Sequence, residues 1–283
     1  MDMLAVSLLG LVALTFSVIA PRIMAPRTSF RLCPGPALLV WQCVAVSGIL
    51  AALLAAPVAA WSLTNRDMTL MWAATALSAL MLARLLLSAH RVGTGLRALR
   101  QRHRDLVDLF GRADPNTSVT VLENASPTAY CVPGGRRQIV LTAGAVAALD
   151  HDELGAVLAH ERAHLNARHD LILEFFTVLH HAVPAPIRCE AALNEVHLLV
   201  EALADRAAIR ISGAKPLARA LVTMHLAVHP EATMGVGGAP EQTRARLLLI
   251  ADAANPRHAR AAAMICFAVA VLTVPLGLAV LGV

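Results

Sequence analysis

The chain has 283 residues, of which 57% are hydrophobic and only 15% charged, and its mean hydropathy is +0.63. A soluble domain carries about 25% charged residues, so an ordinary soluble globule is excluded and much of the sequence belongs in lipid. The net charge of +5 would suit nucleic acid, but the basic residues cluster beside apolar stretches without interleaved aromatics, so a lipid bilayer is the expected partner and direct nucleic-acid binding is not.

In chain order, four apolar stretches are each long enough to cross a hydrocarbon core of about 30 Å. They are residues 3–20, 37–63, 68–89 and 261–283. The first stops at Pro21 and lacks a basic start and a small-residue cleavage site, so it reads as a retained anchor. Pro57 and Pro275 are expected to kink the second and fourth.

Arginines in the short flanks set the orientation. Arg22, Arg27 and Arg31 follow the first span, and only Arg66 lies in the second connection. Arg91, Arg97, Arg100, Arg102 and Arg104 follow the third, and Arg257 and Arg260 precede the fourth. Both termini are therefore expected outside, with residues 91–260 as a cytosolic domain. Arg84, inside the third span but five residues from its cytosolic end, is expected to snorkel outward.

Residues 91–110 place Leu96, Leu99, Leu106, Val107 and Phe110 at roughly helical spacing, continuing the third span as an amphipathic helix. Asp114-Pro115-Asn116 signals a turn. Residues 118–122 are β-rich, and 128–132 with 138–141 flank Pro133-Gly134-Gly135 as a hairpin would. Asp150 followed by Glu153 predicts a capping box opening a helix to about Arg168. Further helices are expected over about 170–181, 190–212, 216–229 and 243–254, with Met234 to Ala239 as a Gly-rich loop. The fold class is a mainly α integral membrane protein with a cytosolic α+β domain containing a small sheet.

His160-Glu161-Arg162-Ala163-His164 is H-E-x-x-H within the capped helix. Residues i and i+4 share a helix face, so both imidazoles can reach one ion while Glu161 can take a proton from water beside it. A catalytic zinc takes three protein ligands and keeps a fourth position open. Glu201 is the preferred third ligand, since Glu201 and Asp205 share a helix face and Asp205 could fix a ligand histidine through its other ring nitrogen. Glu174, Glu190, Glu195 and His197 compete for the role, and His197, one turn before Glu201, could also border the site. Glu161 is the expected general base. The hairpin edge at Gln138, Ile139, Val140 and Leu141 could pair with an extended substrate backbone. His180-His181 lacks a spaced partner and reads as packing or surface, His90, His103 and His258 sit at membrane-facing flanks, and His169, His225 and His229 have no carboxylate pattern around them. The five cysteines show no C-x-x-C pair and read as free thiols.

Leu158 to His164, then Arg168 and Asp170, then Glu201 to Asp205 resemble the BlaR/MecR-type membrane zinc metallopeptidases, with the related HtpX-like and CAAX-protease gluzincins sharing the two-part motif. The resemblance implies three spans, a cytosolic zincin-like (gluzincin) peptidase domain and a fourth span. It also implies one zinc ion per chain on His160, His164 and Glu201, with Glu161 as catalytic base. The β-lactam-sensing members continue into an extracellular penicillin-binding domain, and this sequence ends at Val283, so sensing by such a domain is not expected of it. The expected activity is regulated or signalling cleavage of a cytosolic protein, such as a transcriptional repressor. A quality-control protease of the HtpX-like kind is the first alternative, and a non-enzymatic membrane signalling adaptor the second. Homo-oligomerisation is left open.

Overall fold

The computed structural model describes residues 2–62, 68–113, 119–133, 138–228, 238–253, 255 and 257–281. Its first elements are α1 (Asp2–Leu14), α2 (Ala20–Met24), α3 (Pro34–Ser62) and α4 (Met68–Phe110). Four strands follow: β1 (Gly111–Ala113), β2 (Val119–Leu122), β3 (Ala129–Val132) and β4 (Gln138–Thr142). After them come α5 (Ala143–Ala148), α6 (His151–Ala167), α7 (His169–Ala182) and α8 (Glu190–Ser212). The last helices are α9 (Ala214–Val228), α10 (Gly238–Ala251) and α11 (His258–Leu281). The turns expected at Asp114 to Asn116 and at Gly134-Gly135 lie outside the described residues, as does most of the connection containing Arg66. Part of the expected Gly-rich loop also lies outside them, but Gly238 and Ala239 already belong to α10.

Among the described residues, four helical segments are long and apolar enough to cross a bilayer: Leu4–Met24, Pro34–Trp61, Met68–Phe110 and His258–Leu281. The first does not stop at Pro21. Residues Thr15–Ile19 wind as a π-helical turn and the helix resumes through Pro21 to Met24, a local rewinding that accommodates the missing proline N–H. α4 joins the third apolar stretch and the amphipathic stretch in one helix of 43 residues, about 65 Å long.

The chain divides into two compact units. One comprises Met1–Gly93, Glu174–Leu199 and Arg257–Val283. In it α1 and α11 pack on α3, whose Ala51, Ala52, Ala55 and Ala59 are fully buried, and such small side chains let helix backbones approach closely. Hydroxyls there satisfy main-chain carbonyls, Ser47 donating to Val271 and Ser78 to Ala52. The Arg84 Nε donates to the Ala182 carbonyl. Arg31 holds the buried Glu195 carboxylate through Nε and Nη2, at 2.9 and 2.6 Å.

The other unit comprises Thr94–Leu173 and Val200–Pro256. Its sheet has the order β1-β2-β4-β3, with β2 and β4 parallel and the other two pairs antiparallel. This corrects the expectation that Gln138, Ile139, Val140 and Leu141 offer an edge. β4 is paired on both sides, Val119 to Leu122 on one and Ala129 to Val132 on the other. Its backbone groups are used, and Ile139, Val140 and Leu141 are buried in the core. The edge strand of that hairpin is β3. The core gathers Ile139 and Leu141 of the sheet with Val157 of α6 and Ala220 of α9, while Ala156 and Ala159 of α6 meet Ala208, Leu217 and Ile250.

Candidate active site

α6 begins with a capping box. Asp150 Oδ1 accepts from the Glu153 N–H at 2.8 Å, and Glu153 Oε2 accepts from the Asp150 N–H at 3.1 Å, satisfying donors the helix start leaves unpaired. The box fixes where the helix starts. Ala156 and Ala159 turn into the core, and His160, next along that face, is 7% exposed. His164 follows one turn later. The helix ends at Arg168, which takes a left-handed conformation at φ 52° and donates its N–H to the His164 carbonyl. α7 starts at the next residue.

The Nε2 atoms of His160 and His164 are 3.1 Å apart. Glu201 of α8 presents Oε2 at 3.4 Å from His160 Nε2 and Oε1 at 3.3 Å from His164 Nε2. These three side chains form a group that could hold a metal ion, with one donor atom from each lying within 4.8 Å of the others. A tetrahedral zinc site with bonds of about 2.0–2.1 Å has edges of about 3.3–3.4 Å, so the spacing and the donor set fit zinc. The Glu201 side chain is 32% exposed, which leaves the cluster open to solvent on one side.

A second layer surrounds these donors. Asp205 Oδ1 lies 3.0 Å from His160 Nδ1, close but misaligned for a straight N–H···O bond. His169 Nδ1 lies 3.1 Å from His164 Nδ1, so both imidazoles are contacted on the ring nitrogen turned away from the cluster. Arg246 of α10 donates to both Asp205 oxygens and places Nη1 2.9 Å from Glu201 Oε2. Neither His169 nor Arg246 was picked out from the sequence. Two of the rival carboxylates are engaged elsewhere, Glu195 with Arg31 and Glu190 with His180. His197 is exposed and lies outside the three-residue cluster.

The electrostatics follow from this packing. Burial raises the Glu201 carboxyl, but hydrogen bonds to His160 and His164 and the Arg246 charge overcome it and hold Glu201 well below the usual range. Asp205 is likewise lowered, burial being outweighed by His160 and Arg246. Glu161 goes the other way: burial raises it despite the neighbouring imidazoles, which makes it a stronger base than a free carboxylate. Burial, and after it the nearby negative charge of Glu161, push the Cys131 thiol on β3 up to about 12. β3 therefore passes beside Glu161.

A family model described as peptidase family M48 matches residues 96–264, more than half of the chain. No curated protein and no solved structure matches it.

Proposed function

The chain belongs to peptidase family M48, and from that premise we propose that it is a membrane-anchored, zinc-dependent endopeptidase whose peptidase domain, residues 91–260, faces the cytosol. Family membership makes it a metallopeptidase, and its long apolar helices support membrane association. The observation that carries the reading is the near-tetrahedral spacing of His160, His164 and Glu201 beside a carboxylate raised by burial.

In this reading the three residues hold one zinc ion, which supplies Lewis acidity toward a peptide carbonyl and toward water. Asp205 and His169 fix the ligand rings from behind, and Arg246 fixes Glu201 and Asp205 together. Glu161 takes a proton from the attacking water and returns it to the leaving amine. β3 offers the substrate backbone an edge, since among the described residues it pairs only with β4. The substrate is a cytosolic protein cleaved in a signalling pathway, a transcriptional repressor being what the resemblance to the BlaR/MecR type implies.

Comparing cytosolic and membrane proteomes of cells carrying the parent chain or Glu161→Gln tests this. One or a few cytosolic proteins should accumulate uncut in the variant while zinc content stays unchanged. Many accumulating membrane fragments would assign quality control instead, and no difference would remove the enzymatic role. The orientation requires a cysteine placed at Ser62 to be labelled from outside and one at Thr94 only after permeabilisation.

A further inference from the structure

Within the unit made of Met1–Gly93, Glu174–Leu199 and Arg257–Val283, a cavity of about 280 Å³ opens among α1, α3, α4 and the segment 176–193. Its wall is largely apolar, with Leu14, Ile49, Leu80 and Phe176 among the lining residues. The size is near the lower end of small-molecule sites. An apolar space of this kind forfeits the dispersion contacts that packing would supply unless something fills it.

The charges around the cavity say what that occupant carries. Arg84 and Arg188 line it, and Arg22 donates to the carbonyl of Ile187, another lining residue. All three spend donors on main-chain carbonyls: Arg84 on Ala182, Arg188 on Val183 and His181, Arg22 on Val18 and Ile187. A carbonyl accepts a hydrogen bond but neutralises nothing. Among the described residues no carboxylate pairs with any of the three, in contrast to Arg31, whose charge is met by Glu195. His180, also on the wall, already holds Glu190 at 3.0 Å. Uncompensated cations on the wall of an apolar recess, here Arg84 and Arg188, are costly unless an anion joins them. Trp41 adds a polar demand, because it lines the recess and its buried indole N–H has no acceptor, an uncommon state for a buried donor.

The geometry points to this cavity as a binding site for an anionic phospholipid, with one acyl chain in the recess and the phosphate at Arg84 and Arg188. The tail supplies the missing apolar contacts and the phosphate the missing charge, since guanidinium binds phosphate through paired donors. An ester carbonyl would suit the Trp41 N–H. A phospholipid is favoured over a free anion because α1, α3 and α4, which wall the recess, all contribute segments long and apolar enough to span a bilayer. The site goes beyond the peptidase reading, and none of its tests uses peptidase activity.

The test uses the full chain carrying Trp61→Phe and Trp72→Phe, both exposed positions, reconstituted in phosphatidylcholine vesicles so that Trp41 is the sole tryptophan. Phosphatidylglycerol brominated in its acyl chains should quench Trp41 at a mole fraction about fivefold lower than brominated phosphatidylcholine does. Arg84→Gln with Arg188→Gln should bring the two lipids to parity. Equal quenching in the parent, or an undiminished preference in the double variant, overturns the site. Should the double variant not fold, mass spectrometry of the parent chain released from mixed-lipid vesicles decides. Retained phosphatidylglycerol that inorganic phosphate does not displace upholds the site, whereas its displacement by phosphate, or indiscriminate retention of both lipids, overturns it.

Discussion

Arg246 grips Asp205 through both carboxylate oxygens, with Nε 2.9 Å from Oδ2 and Nη2 2.6 Å from Oδ1. The pair is almost closed to solvent, Asp205 being 3% and Arg246 16% exposed at their side chains. Removing one partner of such a pair strands the other charge, at a cost of about 3 kcal/mol. Arg246→Gln should lose about that much in denaturant unfolding of the metal-free chain and weaken zinc binding about 10- to 100-fold through Glu201 and Asp205. Arg246→Lys, which keeps charge without the two-pronged geometry, should fall between. Unchanged stability and zinc affinity in Arg246→Gln would show that the guanidinium does not order the site.

In the metal-free site the Asp205 and Glu201 carboxylates favour a proton on His160, which a bound zinc would have to displace. Burial lowers the His160 imidazole, but the Asp205 and Glu201 carboxylates beside it outweigh that and raise it to about 9. A histidine raised from its ordinary 6.5 contributes stability that is complete below about 6.5 and is lost as pH climbs through about 9. Zinc requires the neutral ring, so its apparent affinity should rise about tenfold per pH unit across that window. Chelator competition at three pH values reads the slope. A flat profile would mean that His160 is already neutral or is not a ligand.

Cys131 should be a silent thiol. Its pKa of about 12, set by burial and then by the Glu161 charge, cuts the thiolate population near neutrality about a thousandfold against an ordinary value of 9. Iodoacetamide at pH 8 should modify Cys131 far more slowly in the native chain than in the denatured one, read by peptide mass spectrometry. Glu161→Gln should accelerate the native reaction. Equal native and denatured rates would place Cys131 away from that carboxylate.

The parts of this site that follow helical spacing could be read from the sequence, and the parts that depend on tertiary contacts could not. The i, i+4 rule puts His160 and His164 on one face and Glu201 and Asp205 on another, and the Asp150–Glu153 spacing predicts the cap observed at the start of α6. His169 escaped because it reaches His164 only through the left-handed turn at Arg168, a conformation that no periodicity announces. Arg246 lies 41 residues from Asp205 on a helix whose register nothing local ties to α8. The misreading of β4 as an edge has the same origin. Its parallel pairing with β2 joins residues some 20 positions apart, whereas the turn signal between β3 and β4 reports only their own antiparallel pairing.

His160, His164 and Glu201 form the one coordination set of the proposed site, and metal content measures it directly. The parent chain, purified in detergent and dialysed against zinc-free buffer, should retain about one zinc per chain, and Glu201→Ala should retain almost none while staying folded by circular dichroism. Full zinc retention by folded Glu201→Ala, or no zinc in the parent, would contradict it.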